Sequence, residues 1–539
     1  MDRKVRSYWT RARRAATLSG LEPRSRPVTL PDHIDGYGPV QAFAAVDART
    51  VAKSMGAGRG PETTPRRGSS EKLRETLRAA ILETGLRNGG TISFHHHLRD
   101  GDDVLRRVMA ELADLGFKGL RVAASSIFPA HACLVDYIRS GVVDRIVSSY
   151  ITGPVAEAIS AGALPTPAVL QTHGGRAWAI ESGVLAIDVA FVAAPAADSG
   201  GNLNGVDGKS ACGPLGYPMV DVRFAGHVVA VTDTLLDYPL SRIDIAQDLV
   251  DLVVVVDTIG DPARIVSGTT RVTEDPDGLA IARLAAEVID ASGLLIDGFS
   301  FQTGAGGISL AVADSVADLM RRRGIVGGFA AGGITQGIVS MFREGLFRVL
   351  FDVQCFDLAA VASYRDDVGH LPMSASLYAS PGGKGAVVDR LDVMILGAAE
   401  IDTRFNVNVT AVGGGRIIGG SGGHADTAAG AKLAIVTTKL ASRDNPKIVD
   451  RVECISTPGE SIDVVVTEAG IAVNPRRKDL IEVLGRAGLP LVSIETLRRL
   501  SAQAAGRDAP ACRPQGRIVA VVEYRDGSVI DLVRQPLAG

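Results

Sequence analysis

The sequence has few cysteines, no strong bias of charge and no long apolar run, and each shortage excludes a class of protein. Five cysteines (Cys133, Cys212, Cys355, Cys454 and Cys512) are spread over 539 residues without one Cys-x-x-Cys pair. That odd, scattered set argues against a disulfide framework and a zinc site, and it points to a reducing, cytoplasmic setting. Charge is nearly balanced, with 57 Lys and Arg against 60 Asp and Glu, so there is no broad basic footprint for nucleic acid. Apolar runs such as Leu252–Val256 fall far short of the ~20 residues that span a bilayer, and no membrane is expected. The N-terminus is basic (Arg3, Lys4, Arg6, Arg11, Arg13, Arg14) but lacks the apolar segment of a secretory signal. Residues 1–68 mix basic residues, prolines and glycines and read as an arm plus linker.

What is abundant is glycine, 62 residues against the roughly 7% of average usage. Without a collagen period, that excess implies tight turns and backbone close to a ligand. Apolar residues are 46% and charged residues 22%, the balance of a globular chain, and the length implies several domains or two large ones. Regular structure is expected from near Ser70. A helix carries Leu73, Leu77, Ala80 and Ile81 up to Gly85, and a strand follows over Thr91–Phe94. The next helix buries Val104, Leu105, Val108, Met109 and Leu112, and another strand runs over Leu120–Ala124. Such alternation predicts βαβ units and a mostly parallel sheet.

The pattern occurs twice. Ser93-Phe94 followed by a helix matches Ser300-Phe301 followed by a helix with Val312, Val316, Leu319 and Met320. That helix ends in Arg321–Arg323, which suits its negative end. Asp188–Phe191 matches Asp392–Ile395, and in nearly the same register Asp198, Asn202 and Asn204 match Asp402, Asn406 and Asn408. The chain therefore reads as two α/β lobes, 69–295 and 296–539, the second closing with a β-hairpin of Ile518–Tyr524 and Val529–Val533 around Asp526-Gly527.

The phosphate motifs fail. Gly208-Lys209-Ser210 has Leu203 where a P-loop needs glycine, and Gly383-Lys384 is followed by Gly385. Gly304-Ala305-Gly306-Gly307 follows a strand and precedes a helix, so its amides suit an anion, but it lacks the third glycine of a dinucleotide fingerprint. Gly419-Gly420-Ser421-Gly422-Gly423 fits the spacing of a nucleophile elbow, yet the only downstream histidine is the adjacent His424. A hydrolase is thereby disfavoured, and the loop's amides are left as candidates for stabilising an oxyanion. The run His95-His96-His97 ends a strand, where ligands of parallel sheets collect, and it reads as site lining rather than a metal centre. Glu400 has no counterpart in the first lobe, where Ala196 stands, whereas Asp402 is repeated and reads as a turn residue. Arg99, Arg176 and Arg404 lie near these loops and are candidate carboxylate clamps.

Taken together, Thr-Ile-Ser-Phe-His-His (91–96), Phe-Gln-Thr-Gly-Ala-Gly-Gly (301–307), Gly-Gly-Ile-Thr (332–335), Glu-Ile-Asp-Thr-Arg-Phe-Asn-Val-Asn-Val (400–409), Ser-Gly-Gly-His-Ala-Asp (421–426) and Gly-Ile-Ala-Val-Asn-Pro (470–475) resemble the citrate lyase alpha subunit family from about residue 70 to the end. The resemblance implies two tandem coenzyme-A-transferase-type lobes with mostly parallel sheets. It implies a reaction in which citrate replaces acetate on the thiol of an acyl-carrier-protein prosthetic group derived from coenzyme A, with beta (lyase) and gamma (carrier) subunits as partners. No cofactor bound covalently to this chain and no metal is expected. Glutamate-using coenzyme A transferases carry their nucleophile in a segment that matches Gly333-Ile334-Thr335-Gln336-Gly337, which has no carboxylate. The family's ternary-complex route, in which citrate attacks the acetyl thioester directly, is therefore expected. Glu181, in a Glu-Ser-Gly segment, is a lesser candidate nucleophile. The candidate catalytic residues are Gly422, Gly423, His424 and Glu400. The candidate substrate- and thioester-binding residues are His95, His96, Gly304, Gly306, Gly307, Gly333, Thr335, Gln336, Arg404 and Asn406. Two other readings stay open: a transferase using free coenzyme A with citramalate or acetate, and a non-enzymatic effector-binding or scaffold module.

Overall fold

The computed structural model describes residues 30–43, 71–266, 271–304, 306–509 and 516–536. It contains two large sheets. The first has ten strands in the order Leu73–Arg74, Leu252–Val255, His227–Thr232, Val189–Ala194, Thr91–Phe94, Leu120–Ala124, Val143–Ser148, Ala168–Leu170, Ile518–Glu523 and Val529–Arg534. The second has eight: His370–Pro372, Phe347–Cys355, Gly327–Ile334, Ser300–Thr303, Val393–Gly397, Leu433–Thr437, Val464–Thr467 and Gly470–Val473. Every pairing in both is parallel except the final hairpin of each. Strands such as Val189–Ala194 and Leu433–Thr437 are buried along their whole length, which is why they read as continuous Val/Ile/Ala runs rather than alternating ones.

The helices cover these faces with the side chains expected. Helix Val104–Asp114 buries Val104, Leu105, Val108, Met109 and Leu112. Helix Gly307–Arg323 ends at Gly324, whose φ of 63° lets Ile325 N–H reach back to Met320 O at 3.0 Å. One contiguous core runs through both lobes. Each large side chain taken fully out of water there contributes about 1.5–3 kcal/mol.

The repeat is a hydrogen-bond template. Asp188 Oδ2 accepts from Thr91 N–H (2.7 Å) and Asp392 Oδ2 from Ser300 N–H (2.9 Å), each tying neighbouring strands. Asp198 Oδ1 accepts from the amides of Gly200 and Asn202, and Asp402 Oδ1 from those of Arg404 and Asn406. Asn202 Nδ2 donates to Asp198 (2.8 Å), as Asn406 Nδ2 does to Asp402 (3.0 Å). These side chains take the place of missing ladder bonds in a turn, an Asx role.

Three boundaries differ from the expectation. Leu73 lies in a short strand, and the first helix starts at Leu77 behind Thr76, whose Oγ1 accepts from Ala79 N–H at 3.1 Å. Helix Pro276–Ala291, expected with the first lobe, packs on Gly307–Arg323 of the second. The C-terminal hairpin forms as expected but joins the first sheet, where Ile518–Glu523 pairs parallel with Ala168–Leu170. It caps what would be an exposed sheet edge. Of the expected arm, residues 1–29 and 44–68 lie outside the described residues. Residues 30–43 pack on this hairpin, with His33–Ile34 pairing Gly38–Pro39 and Tyr37 Oη–H donating to Glu523 Oε1 at 2.8 Å. Among the described residues no helix is long and apolar enough to cross a membrane.

Candidate active site

Near the ends of the central strands Thr91–Phe94 and Ser300–Thr303, side chains of both lobes meet in a buried polar cluster, called the chamber below. From the first lobe come His96, His97, His173 and Tyr217. His96 lies 4.5 Å from Tyr217 and 5.7 Å from His173, ring centroid to centroid, and His173 lies 4.8 Å from Tyr217. From the second come Gln302, Tyr378, Gly422 and Gly423. The lobes are stitched here by backbone and side chain: His173 N–H donates to Gly422 O (2.8 Å), Gly422 N–H to Ser149 O (3.1 Å), and Gln354 Nε2 to His96 O (2.7 Å).

Burial leaves the histidines neutral. His97 and His173 are each pushed down to about 3, by burial first and then by the charge of His95 or Arg176 respectively. His96 falls well below its ordinary value, through burial first and then the nearby His173, His97 and Arg99, and its Nδ1 lies 2.6 Å from Ser125 Oγ. Both ring nitrogens of His97 and Nδ1 of His173 have no hydrogen-bond partner among the described residues. Positive charge is supplied by Arg99, which is buried and held in a left-handed backbone conformation (φ 51°). Its guanidinium stacks over Phe128 (5.2 Å) and Phe356 (4.8 Å).

The expected residues sort into three groups. His96, Gly422 and Gly423 meet in the chamber, although the Gly422 amide is committed to Ser149 and leaves Gly423, at the N-cap of helix His424–Gly430, as the amide nearer Tyr378. Gly304, Gly306 and Gly307 follow strand Ser300–Thr303; Gly304 N–H donates to Ile395 O (2.8 Å), and Gly307 O accepts from Thr273 (3.1 Å). Gly333 sits against the Phe356 ring that carries Arg99; a methyl group there would come within 2.3 Å of it. Thr335 is buried at the start of helix Gln336–Arg343, and Gln336 is exposed with its N–H on Asp357 (2.7 Å).

The third group serves the fold. His95 turns into the first lobe, Nε2 lying 3.0 Å from Asp221 Oδ2. Arg176, expected as a substrate clamp, makes a bidentate pair with the same carboxylate at 2.9 and 2.7 Å. Burial alone would raise Asp221, yet Arg176 and His95 hold it below the ordinary carboxylate range. His424 is bonded through both nitrogens: Nε2–H donates to Gly397 O (2.9 Å), so Nδ1 accepts from Thr457 Oγ1–H (2.7 Å). Burial pushes it down to about 4, and these two bonds hold the neutral tautomer beside the glycine loop. Glu400 Oε2 accepts from Asn408 Nδ2 (2.8 Å) and Glu453 N–H (3.0 Å). Asn406 is spent on Asp402 and on Gly459 N–H (2.9 Å), and Arg404 is exposed on that turn. Glu181 accepts from Ser380 Oγ–H (2.7 Å) and faces a separate cavity of about 430 Å³ with Met219, Arg223 and Leu377, so it does not enter the chamber.

The structure also brings His173, Tyr217, Gln302 and Tyr378 to this place, none of which the sequence singled out, and Asp426, which it marked only as part of a motif. A signal existed for one of them: the 207-residue offset that pairs Ser93 with Ser300 also pairs His95 with Gln302. Asp426 accepts from Thr172 Oγ1–H (2.9 Å) and Gly174 N–H (2.8 Å) across the seam and is pushed up to about 6, by burial first, against the lowering effect of Arg525 and these donors. Behind the chamber, Asp352 accepts from Cys355 Sγ–H (3.0 Å) and from His370 Nε2–H (3.1 Å). These three residues lie close enough together to hold a metal ion, and the other oxygen of Asp352 accepts from Gln354 N–H at 2.8 Å.

Comparison with known proteins matches this architecture closely. The family model for the citrate lyase alpha subunit covers residues 70–536. The citrate lyase alpha chain of Klebsiella pneumoniae is 48% identical over 464 residues, 86% of this chain and 91% of the relative, and that of Escherichia coli is 49% identical over the same shares. A solved structure from Streptococcus mutans, assigned as the alpha subunit of citrate lyase in complex with citrate, superposes with a TM-score of 0.89 at 44% identity, covering 95% of this chain and 99% of that one. A malonate decarboxylase from Pseudomonas (TM-score 0.60, 15% identity, 86% and 98% covered) shares the fold. With nearly half its residues in common with these relatives along most of their length, the chain belongs to the citrate lyase alpha subunit family, the coenzyme-A-transferase component of that enzyme.

Proposed function

We propose that the chamber exchanges acetate for citrate on a thioester carried by the coenzyme-A-derived arm of an acyl carrier subunit, and that the chain works in a complex with carrier and lyase subunits. A citrate carboxylate attacks the acetyl carbonyl, the tetrahedral intermediate expels the thiolate, and the thiolate attacks the citryl carbonyl of the resulting anhydride to release acetate. A carboxylate needs no general base, which fits a chamber whose histidines are neutral. The cationic Arg99 and the unpartnered nitrogens of His97 and His173 offer the polar surface for an acid. Holding acid and thioester together in one closed seam supplies much of the acceleration.

The observation that carries this reading is that, among the described residues, the carboxylates beside the chamber are all engaged within the protein. Asp221 is locked in its ion pair and Asp426 in the seam, and the segment Gly333–Gly337 presents Gln336. The test is to mix the chain with labelled acetyl-carrier and with acetyl-coenzyme A, each with citrate, citramalate or acetate, and to examine the intact polypeptide by mass spectrometry during turnover. Citryl-carrier should form with no acyl adduct on the chain. An adduct would refute direct attack; exchange confined to free coenzyme A or to another acid would replace the substrate assignment.

A further inference from the structure

The chamber contains one hydroxyl whose surroundings suit the reaction's charge development. Tyr378 is 3% exposed, on the short helix Ala375–Ala379, which packs on His173–Glu181 of the first lobe. Its Oη accepts a hydrogen bond from Gln302 Nε2 at 2.8 Å. Among the described residues that hydroxyl has no acceptor for its own proton, and the fully enclosed Gln302 Oε1 is likewise without a partner. Buried polar atoms are rarely left so, because each costs about 1–3 kcal/mol unless a ligand or water completes it. The hydroxyl lies beside the glycine loop, where a methyl group on Gly423 would come within 2.5 Å of Oη. Gln302 is the penultimate residue of Ser300–Thr303, the central strand whose carboxyl end is the kind of position where parallel sheets bind ligands.

We infer that Tyr378 is a catalytic hydrogen-bond donor: its O–H, oriented by Gln302, bonds to the thioester carbonyl oxygen and strengthens that bond as the oxygen becomes an oxyanion. This rests on the transferase reading above. As the citrate carboxylate oxygen bonds to the acetyl carbon, the carbonyl π pair moves onto oxygen. The phenol proton stays on Tyr378 throughout, and the pair returns to re-form the carbonyl as the carbon–sulfur bond breaks and thiolate leaves. Burial raises the phenol's pKa and outweighs the lowering effect of the Gln302 hydrogen bond, with a smaller rise from Asp426, so the phenol keeps its proton at working pH. Gln302 is a positioning residue, acting through the phenol.

The test compares wild type with Tyr378→Phe, which keeps the ring packing, in the citrate/acetyl-carrier exchange. The kcat should fall about 10²–10³-fold, the cost of losing one oxyanion donor. The KM for citrate and the melting temperature should stay close to wild type, which a purely structural tyrosine would not allow. Replacement of Tyr378 by 3-fluorotyrosine keeps the hydroxyl and should restore kcat to within about tenfold of wild type, separating lost chemistry from lost packing. A Tyr378→Phe enzyme with wild-type kcat overturns the assignment, as does a raised citrate KM at unchanged kcat or a fluorotyrosine enzyme as slow as the phenylalanine one. Failure of wild type itself to form citryl thioester would instead remove the transferase reading, and this inference with it.

Discussion

Acidification from pH 7 to pH 5 should cost the fold about 2 kcal/mol through His97 alone. The side chain is 1% exposed and its folded pKa is about 3, against about 6.5 in the unfolded chain. The unfolded state therefore binds the proton first, and between those values stability rises with pH and is lost as pH falls. At pH 5 the difference in protonation free energy is about 1.36 × 1.5, or 2 kcal/mol, compared with about 0.2 kcal/mol at pH 7. Asp426 works in the opposite direction. Its folded value of about 6 lies above the ordinary aspartate range, so the folded state gains about 1.3 kcal/mol over the same interval. Urea denaturation followed by circular dichroism at both pH values, on wild type, His97→Asn and Asp426→Asn, separates the two. His97→Asn should lose less stability on acidification than wild type, by about 2 kcal/mol, and Asp426→Asn should lose more. If His97→Asn loses as much as wild type, the imidazole is not held neutral by burial and the chamber is wetter than its packing implies.

Asp221→Asn removes one partner of a fully buried ion pair and leaves Arg176 uncompensated, so it should destabilise by about 3–5 kcal/mol; a loss below 1 kcal/mol in denaturation would contradict the pairing. Gly423→Ala places a methyl group against Tyr378 Oη and should lower kcat by at least about tenfold with the chain still folded, because the helix must shift to relieve the overlap. Asn406→Ala breaks bonds to Asp402 and Gly459 and should cost about 1–3 kcal/mol of stability while leaving the citrate KM unchanged. A raised KM would return Asn406 to the substrate site.

Much of the architecture was legible in one dimension. The 207-residue offset between Ser93-Phe94 and Ser300-Phe301 marks two strands that occupy equivalent central places in two sheets. The matched Asp198/Asp402 and Asn202/Asn406 pairs proved to be the same hydrogen-bonded turn made twice. The candidate site was less legible. His95 and His96 are neighbours in sequence, yet one enters the first lobe's interior on Asp221 and the other faces the seam. Arg176 had the chemistry of a carboxylate clamp, and the carboxylate it holds is the protein's own Asp221.

Local pattern thus determined the α/β class, the duplicated lobes and the glycine-rich loops, since these depend on periodicity, turn chemistry and residue identity. Only the tertiary structure decided that the C-terminal hairpin joins the first sheet, that His424 bonds Gly397 and Thr457, and that Tyr378 and Gln302 meet beside Gly423. The physical reason is that a hydrogen bond or ion pair between residues tens to hundreds of positions apart leaves no periodic trace in the chain. It exists only once both sheets have folded and the seam between them has closed.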